Sequence, residues 1–134
     1  MTGLPTGAQV DVYVSASNIN GEGELSDMRS YYVATAPAQP AAPTETKIYL
    51  PEYSRDEAAI QVSWVAPVNN GAPITGYKLY FAEEAREYKL VYDGTGRSDI
   101  LTYTVTSNVY KTKYYKFKVS AINIIGESAL SPKL

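Results

Sequence analysis

Carboxylates are the side chains of this 134-residue sequence that come closest to catalytic chemistry, because two of them can work together as general acid and general base. Two adjacent pairs occur, Asp56-Glu57 and Glu83-Glu84. Neighbouring residues of a strand point to opposite faces, so neither pair can present both carboxylates to one substrate. The sequence also contains no His and no Cys, which removes the usual general base and the Ser-His and Cys-His nucleophiles. We therefore predict no catalytic residues.

Metal and cofactor sites are not predicted either. Zinc is bound mainly by Cys and His, and the sequence has neither. The loop 93–99 (Asp-Gly-Thr-Gly-Arg-Ser-Asp) carries oxygen ligands, but not at the spacing of an EF-hand calcium loop. We expect no metal and no cofactor.

Residues 110–118 form a basic stretch with tyrosines interleaved, a pattern that can contact an anionic surface such as an acidic glycan, lipid headgroups or an acidic protein tail. The members are Tyr110, Lys111, Lys113, Tyr114, Tyr115, Lys116 and Lys118. A period of two places Tyr115 in a core and Lys116 in solvent, so a solvated sheet face is the plainer interpretation. The net charge of −2 argues against nucleic-acid binding, and no apolar run approaches the length of a membrane span.

The elements that would position these residues are short strands. The 13 Tyr and the many Val, Ile and Thr favour strands over helices. Apolar and polar residues alternate in five segments, at 60–64, 74–81, 88–92, 101–105 and 115–121. Turn residues separate them at intervals of about 8–12 positions, a spacing typical of sandwiches. The sequence predicts an all-β fold, an antiparallel β-sandwich.

One segment of the sequence occurs twice. Residues 14–26 and 119–131 are identical at nine of 13 positions, at an offset of 105. Such an offset predicts tandem modules of small-domain length. The first copy lies so close to residue 1 that most of its module must lie outside this chain, and residues 8–35 are expected to form a hairpin. Three prolines in residues 37–43 predict a semi-rigid linker.

The ordered pattern over residues 40–131 resembles the fibronectin type III family, whose fold is an immunoglobulin-like β-sandwich. Trp64 resembles the Trp that ends strand B, and Gly76-Tyr77 resembles the pair on strand C after a Pro-rich loop. The strand F pattern is matched in step by Tyr115, Phe117, Val119, Ala121, Asn123, Gly126 and Ser131. The resemblance implies a structural core of Trp64, Tyr77, Tyr115, Phe117 and Val119. It also implies a tyrosine corner, in which the Tyr115 hydroxyl bonds to backbone near Val109.

The repeat divides the chain into three parts. Residues 1–36 are predicted to be the C-terminal hairpin (strands F and G) of a preceding type III-like module, 37–43 the linker, and 44–134 a type III-like domain lacking most of its last strand. The offset sets Leu134 opposite Arg29, so the second G strand would begin after 134 and the edge of strand F would be bare. Neighbouring strands of a longer chain could fill that place. Residues 28–35 could also fill it, by folding back or by donation between chains.

Binding is expected at the loops rather than on the sheets. The B–C loop (68–72) and the F–G loop (124–129) should lie at one end of the sandwich, and plain connectors are the alternative. The candidate binding residues are Asn69, Asn70, Gly71, Ile124, Ile125 and Glu127. The resemblance implies a non-catalytic spacer, adhesion or scaffold element of a larger multi-domain repeat protein. Its expected partners are proteins, chiefly neighbouring modules of the same or a like chain.

The alternative is an accessory domain of an enzyme or receptor whose catalytic part lies outside this chain. The compartment stays open between the cell surface and a cytoskeletal or ciliary location.

Overall fold

A computed structural model describes residues 6–18, 20–24, 26, 29–52 and 56–134, with the backbone alone at 29–32. Ten strands and no helix occur within these ranges. The strands are β1 (Gln9–Val12), β2 (Ser17–Asn18), β3 (Gly21–Glu22), β4 (Arg29–Tyr32), β5 (Thr44–Tyr49), β6 (Ala59–Ser63), β7 (Ile74–Glu83), β8 (Lys89–Asp93), β9 (Thr102–Val105) and β10 (Tyr115–Asn123).

Two antiparallel three-stranded sheets, ordered β5-β6-β9 and β10-β7-β8, form the sandwich. Their inner faces share one hydrophobic core. In β10 the inward-facing residues Phe117, Val119 and Ala121 occupy every second position and are buried, and Ser120 between them is buried as well. Sheet formation by such alternating strands confirms the predicted all-β antiparallel sandwich.

Two of the predicted strands are longer in the structure. β7 continues to Glu83 and β10 continues to Asn123, each two residues beyond the alternating segment. Strand β5 was not predicted, because all six of its residues are exposed and no apolar period marks it. It is an edge strand that pairs with β6 alone.

The N-terminal part forms the expected hairpin, with β1 paired antiparallel to β4 and Val10 opposite Tyr31. β2 and β3, which lie between β1 and β4 in the sequence, pair with each other. The apolar side chains of β1 are only partly covered. Val10 and Val12 are half-buried, whereas Val14 lies beyond the end of β1 and is 67% exposed.

The predicted bare edge of β10 is wrong between Phe117 and Ala121. The backbone N–H groups of Ser128, Ser131 and Leu134 donate to the carbonyls of Ala121, Val119 and Phe117, at 2.8, 2.9 and 3.1 Å. In return, the amides of Ala121 and Val119 donate to the hydroxyls of Ser128 and Ser131, both at 3.0 Å. Serine hydroxyls thus replace the carbonyl acceptors of a regular ladder, and the sequence offset alone could not reveal this.

The same contacts contradict the fold-back form of the strand-exchange hypothesis. The sequence allows residues 28–35, of which position 28 lies outside the described residues, to fill the edge of β10, but β4 pairs with β1. The chain's own residues 128–134 occupy that edge. The division of the chain at residues 36 and 43 stays a prediction.

Candidate functional site

The hairpin and the sandwich meet at a junction made of residues 33–39 on one side and the B–C and F–G loops on the other. The Thr35 amide donates to the Asn70 carbonyl at 3.2 Å, and the Ala38 amide donates to the Val68 carbonyl at 2.9 Å. The segment leaving the hairpin therefore pairs with the B–C loop through its backbone before the sandwich begins.

Asn123 lies at the centre of this junction, at the end of β10, and is 4% exposed. Its amide nitrogen Nδ2 donates to the carbonyls of Thr35, at 2.8 Å, and Asn69, at 3.1 Å. Its Oδ1 accepts from the amides of Ile125, at 2.9 Å, and Gly126, at 3.1 Å. One side chain thus uses both donors and both acceptor sites to join the hairpin exit, the B–C loop and the F–G loop.

Asn70 makes the reciprocal contact from the B–C loop. Its backbone has a positive φ of 54°, which Asn tolerates better than most residues. Its Nδ2 donates to the Ala36 carbonyl at 2.9 Å. The neighbouring Asn69 accepts at Oδ1 from the Gly71 amide, at 3.0 Å, which fixes the turn.

Gly71 allows a close approach between the B–C loop and the N-terminal part. Its φ is 100°, and a Cβ added here would lie 2.8 Å from the Val33 carbonyl oxygen and closer still to the Gly7 nitrogen. The three nearest atoms all belong to residues 6–33, so the B–C loop needs glycine here because the hairpin packs against it.

The candidate binding residues of the F–G loop do not lie together in the structure. Ile124 and Ile125 stand beside Asn123 with side chains 68% and 50% exposed. Glu127 instead folds over the outer face of the β10-β7-β8 sheet. There it accepts from the Ser120 hydroxyl at 2.6 Å, the Tyr80 hydroxyl at 2.9 Å and the Lys78 ammonium at 3.1 Å. It therefore fastens the C-terminal segment to the sheet and lies outside the junction.

The environment of Glu127 shifts its ionisation. Burial acts to raise the pKa of Glu127, but the hydrogen bonds from Ser120, Tyr80 and Lys78 outweigh it, and the pKa falls below its ordinary value. For the same reason the hydrogen bond and charge of Glu127 raise the pKa of Lys78. Both groups are thus held in their charged forms.

The basic stretch is divided among internal contacts. Lys113 pairs with Glu83 at 2.8 Å. Lys116 and Lys118 both lie over the ring of Tyr88, with their Nζ atoms 5.4 and 4.9 Å from its centroid. This arrangement fits the plainer interpretation of a solvated sheet face better than an anion-binding surface.

The predicted core residues lie between the sheets. Trp64 is 4% exposed, and its ring lies 5.9 Å from that of Tyr77. Tyr77 and Phe117 are 2% exposed and Val119 is fully buried. Tyr115 is only half-buried, with its ring stacked 5.0 Å from Phe81.

The tyrosine corner has the geometry that the resemblance implies. The Tyr115 hydroxyl accepts from the backbone amide of Tyr110, five residues upstream, at 2.7 Å.

The sequence did not predict the roles of two junction residues, Gln39 and Asn123. Gln39 donates from Nε2 to the Leu130 carbonyl at 2.6 Å, which ties the linker to the C-terminal segment. The strand F pattern includes Asn123 without assigning it a contact, although the internal repeat carries a signal for its turn. In the first copy, Asn18 Oδ1 accepts from the amide two residues on, as Asn123 Oδ1 does in the second. The repeated Asn thus marks a repeated turn.

The junction joins the hairpin exit to the B–C and F–G loops through amide and carbonyl groups. Among the residues that the structure describes, no three His, Cys, Asp or Glu side chains cluster as metal ligands. The described part of the chain also contains no helix that is long and apolar enough to cross a membrane.

Comparison with known sequences identifies the fold. Residues 42–134 match the sequence model of the fibronectin type III domain. Human myomesin-2 is 32% identical over 126 residues, covering 92% of this chain and 8% of that protein. Human fibronectin type-III domain-containing protein 3A is 24% identical over 131 residues, covering 98% of this chain and 10% of that protein. The chain spans about a tenth or less of the length of these relatives.

Solved structures show the same architecture. A crystal structure of consecutive domains from titin covers 90% of this chain and 37% of its own, with 25% identity and a TM-score of 0.65. That share exceeds residues 37–134, so the likeness extends into the hairpin. The solution structure of the sixth fibronectin type III domain of a human protein covers 75% of this chain and 84% of its own, with 23% identity and a TM-score of 0.57, which shows the fold alone.

Proposed function

The chain belongs to the fibronectin type III family, and from that premise we propose that it is a spacer element of a longer multi-module protein, with a junction that fixes the orientation of successive modules. The chain matches 8% of myomesin-2 and 10% of fibronectin type-III domain-containing protein 3A, which supports a place within a longer protein. The partner recognised by the B–C and F–G loops is the preceding module of the same chain.

The contacts of Asn123 carry this proposal. A flexible linker would leave the two parts free to reorient, as is usual when a connection is extended and makes few contacts. Here a buried amide bonds to the hairpin exit at Thr35 while its oxygen holds the F–G loop. Undocking would leave that buried amide without its protein partners, a loss that opposes independent motion.

A matched pair of glycine variants tests the proposal. Gly71→Ala and Gly96→Ala each put a Cβ at a positive φ, of 100° and 80° respectively. The new methyl meets residues 6–33 at position 71 and open space at position 96. Backbone strain is therefore shared, and only the first variant pushes the hairpin away.

Residual dipolar couplings of backbone amides provide the measurement. In the wild-type chain and in the control variant Gly96→Ala, the couplings measured in β1 and in β10 should fit one alignment tensor. In Gly71→Ala the couplings of β1 and of β10 should require two different tensors, while those within the sandwich still fit one. Two independent tensors in the wild-type chain would refute a fixed orientation.

The alternative, an accessory domain beside a catalytic one, is supported by one likeness. A structure of titin kinase with its flanking domains covers 75% of this chain at 25% identity and a TM-score of 0.58. The sequences flanking residues 1 and 134 discriminate, because further modules favour the spacer and a catalytic domain favours the accessory role.

A further inference from the structure

We propose that Asn70 is a deamidation site that the junction protects, and that its conversion to aspartate or isoaspartate releases the junction. The inference rests on the proposed function in that both need a docked hairpin. The reactive pair is Asn70-Gly71. Glycine after asparagine favours this chemistry because no Cβ hinders the approach of its backbone nitrogen.

The reaction balances with water as the only co-reactant. The Gly71 backbone nitrogen attacks Asn70 Cγ, a C–N bond forms, and the side-chain nitrogen leaves as ammonia once it has gained the proton that Gly71 loses. Water then opens the cyclic imide at either carbonyl. Opening at one restores the backbone and gives aspartate, and opening at the other gives isoaspartate.

Both reacting groups are held when the junction is docked. The leaving amide of Asn70 donates to the Ala36 carbonyl at 2.9 Å, and the attacking Gly71 nitrogen donates to Asn69 Oδ1 at 3.0 Å. The backbone of Gly7 packs directly against Gly71. The side chain must lose the Ala36 contact before its Cγ can turn toward Gly71, so reaction should proceed through an undocked state.

The chain contains an internal reference, Asn20-Gly21, in which Asn20 lies between β2 and β3 and Gly21 is the first residue of β3. Asn20 is exposed, and its side chain makes none of the hydrogen bonds seen among the described residues. Gly21 has open space around its Cα. The two Asn-Gly pairs share their local chemistry and differ in tertiary protection.

Conversion of Asn70 should act on the junction itself. Aspartate replaces a donor with a charged acceptor that faces the Ala36 carbonyl, and no hydrogen bond can form between two acceptors. Isoaspartate also lengthens the backbone by one carbon, beside the carbonyl that accepts from Thr35. Either product therefore weakens the docking of the linker.

The experiment follows both sites by peptide mass spectrometry while the folded chain is incubated in warm, mildly alkaline buffer. We expect Asn20 to react at least about tenfold faster than Asn70 in the folded chain, since docking hydrogen bonds must open first. In guanidinium chloride the two rates should converge, because tertiary protection is gone. Asn123→Asp keeps the Oδ1 acceptor and removes the Nδ2 donor to Thr35, so it should speed reaction at Asn70 and leave Asn20 unchanged.

The release step is measured on Asn70→Asp, with Asn20→Asp as its control. Amide hydrogen exchange at Thr35 and Ala38 should accelerate in the first variant by about tenfold and stay at the wild-type rate in the second. Equal rates at Asn20 and Asn70 in the folded chain, or unchanged exchange in Asn70→Asp, would overturn the inference. If either result is obtained and the dipolar couplings of the wild-type chain still fit one tensor, the spacer proposal survives. Two tensors in the wild-type chain would refute both the spacer proposal and the deamidation proposal.

Discussion

The amide nitrogen of Asn123 lies 2.8 Å from the carbonyl oxygen of Thr35, 88 positions earlier in the chain. This bond crosses from the end of β10 to the exit of the N-terminal hairpin. Asn123 is 4% exposed, and its amide nitrogen also donates to the Asn69 carbonyl. The sandwich therefore contacts the hairpin exit through backbone atoms, which any side-chain sequence in residues 33–36 could present.

Asn123→Ala should destabilise the chain by about 1–3 kcal/mol, because the Thr35 carbonyl and the F–G amides lose partners near the protein interior. Guanidinium unfolding checks the loss. Asn20→Ala is the control, since Asn20 is exposed and, like Asn123, has no positive φ. Equal losses in the two variants would show that the hydrogen bonds of the Asn123 side chain make no net contribution to stability.

Trp64→Ala should cost about 3–5 kcal/mol, because it leaves a large cavity between the rings of Tyr77 and Tyr92. Trp64→Phe should cost less. It keeps an aromatic ring and removes an indole N–H that finds no acceptor within the described residues. Chemical unfolding midpoints measure both, and an unchanged midpoint for Trp64→Ala would contradict its position in the core.

Tyr115→Phe should destabilise by about 0.5–1.5 kcal/mol, since the ring stays stacked on Phe81 and only the acceptor for the Tyr110 amide is lost. Tyr114→Phe is the matched control because Tyr114 is 79% exposed. We expect thermal unfolding to separate the two variants. If Tyr115→Phe left the stability unchanged, the corner hydrogen bond would make no net contribution to the free energy of unfolding.

The sandwich could be predicted because its core strands bury every second residue. Trp64, Leu79 and Val119 belong to segments whose alternation is visible in the sequence. Strand β5 carries no such signal, since its stability comes from backbone pairing with β6 and its side chains face solvent. The buried strands could therefore be predicted from the sequence, whereas the exposed edge strand β5 could not.

The junction was predictable only in part. The turn residues Asn70 and Gly71 mark a loop, and both lie at the junction, but their partners are backbone carbonyls and amides. Such contacts impose no residue type on the other side, so Thr35 and Ala36 carry no sequence signal. The edge of β10 was mispredicted for a related reason, because Ser128 and Ser131 substitute side-chain oxygens for the ladder carbonyls.

Ser131→Ala should cost about 1–3 kcal/mol, because Ser131 is 1% exposed and its hydroxyl is the acceptor for the Val119 amide. Amide exchange at Val119 should accelerate with it. Ser107→Ala serves as control at an exposed loop position. Unchanged protection at Val119 would mean that another acceptor takes the place of the hydroxyl.

Glu127→Gln should remove a pH-dependent part of the stability. The pKa of Glu127 is lowered in the folded chain despite its partial burial, because hydrogen bonds from Ser120, Tyr80 and Lys78 favour the carboxylate. A lowered folded pKa means that this contribution is fully present above the ordinary value of 4.5 and is lost as the pH falls through the folded pKa. Solvent reaches the side chain, which is 32% exposed, so screening limits the expected loss at neutral pH to about 0.5–1 kcal/mol.

Urea unfolding of wild type and Glu127→Gln at neutral pH and at about pH 3 measures this effect, since the stability gap between them should shrink in acid. Glu84→Gln is the control, because Glu84 is exposed and its substitution should leave the gap near zero at both pH values. A gap for Glu127→Gln that stays constant across this range would show that the amide replaces the carboxylate as an acceptor and that the charge of Lys78 contributes nothing. A gap that widens in acid would contradict the lowered pKa itself, and with it the account of Glu127 as the residue that fastens the C-terminal segment to the sheet.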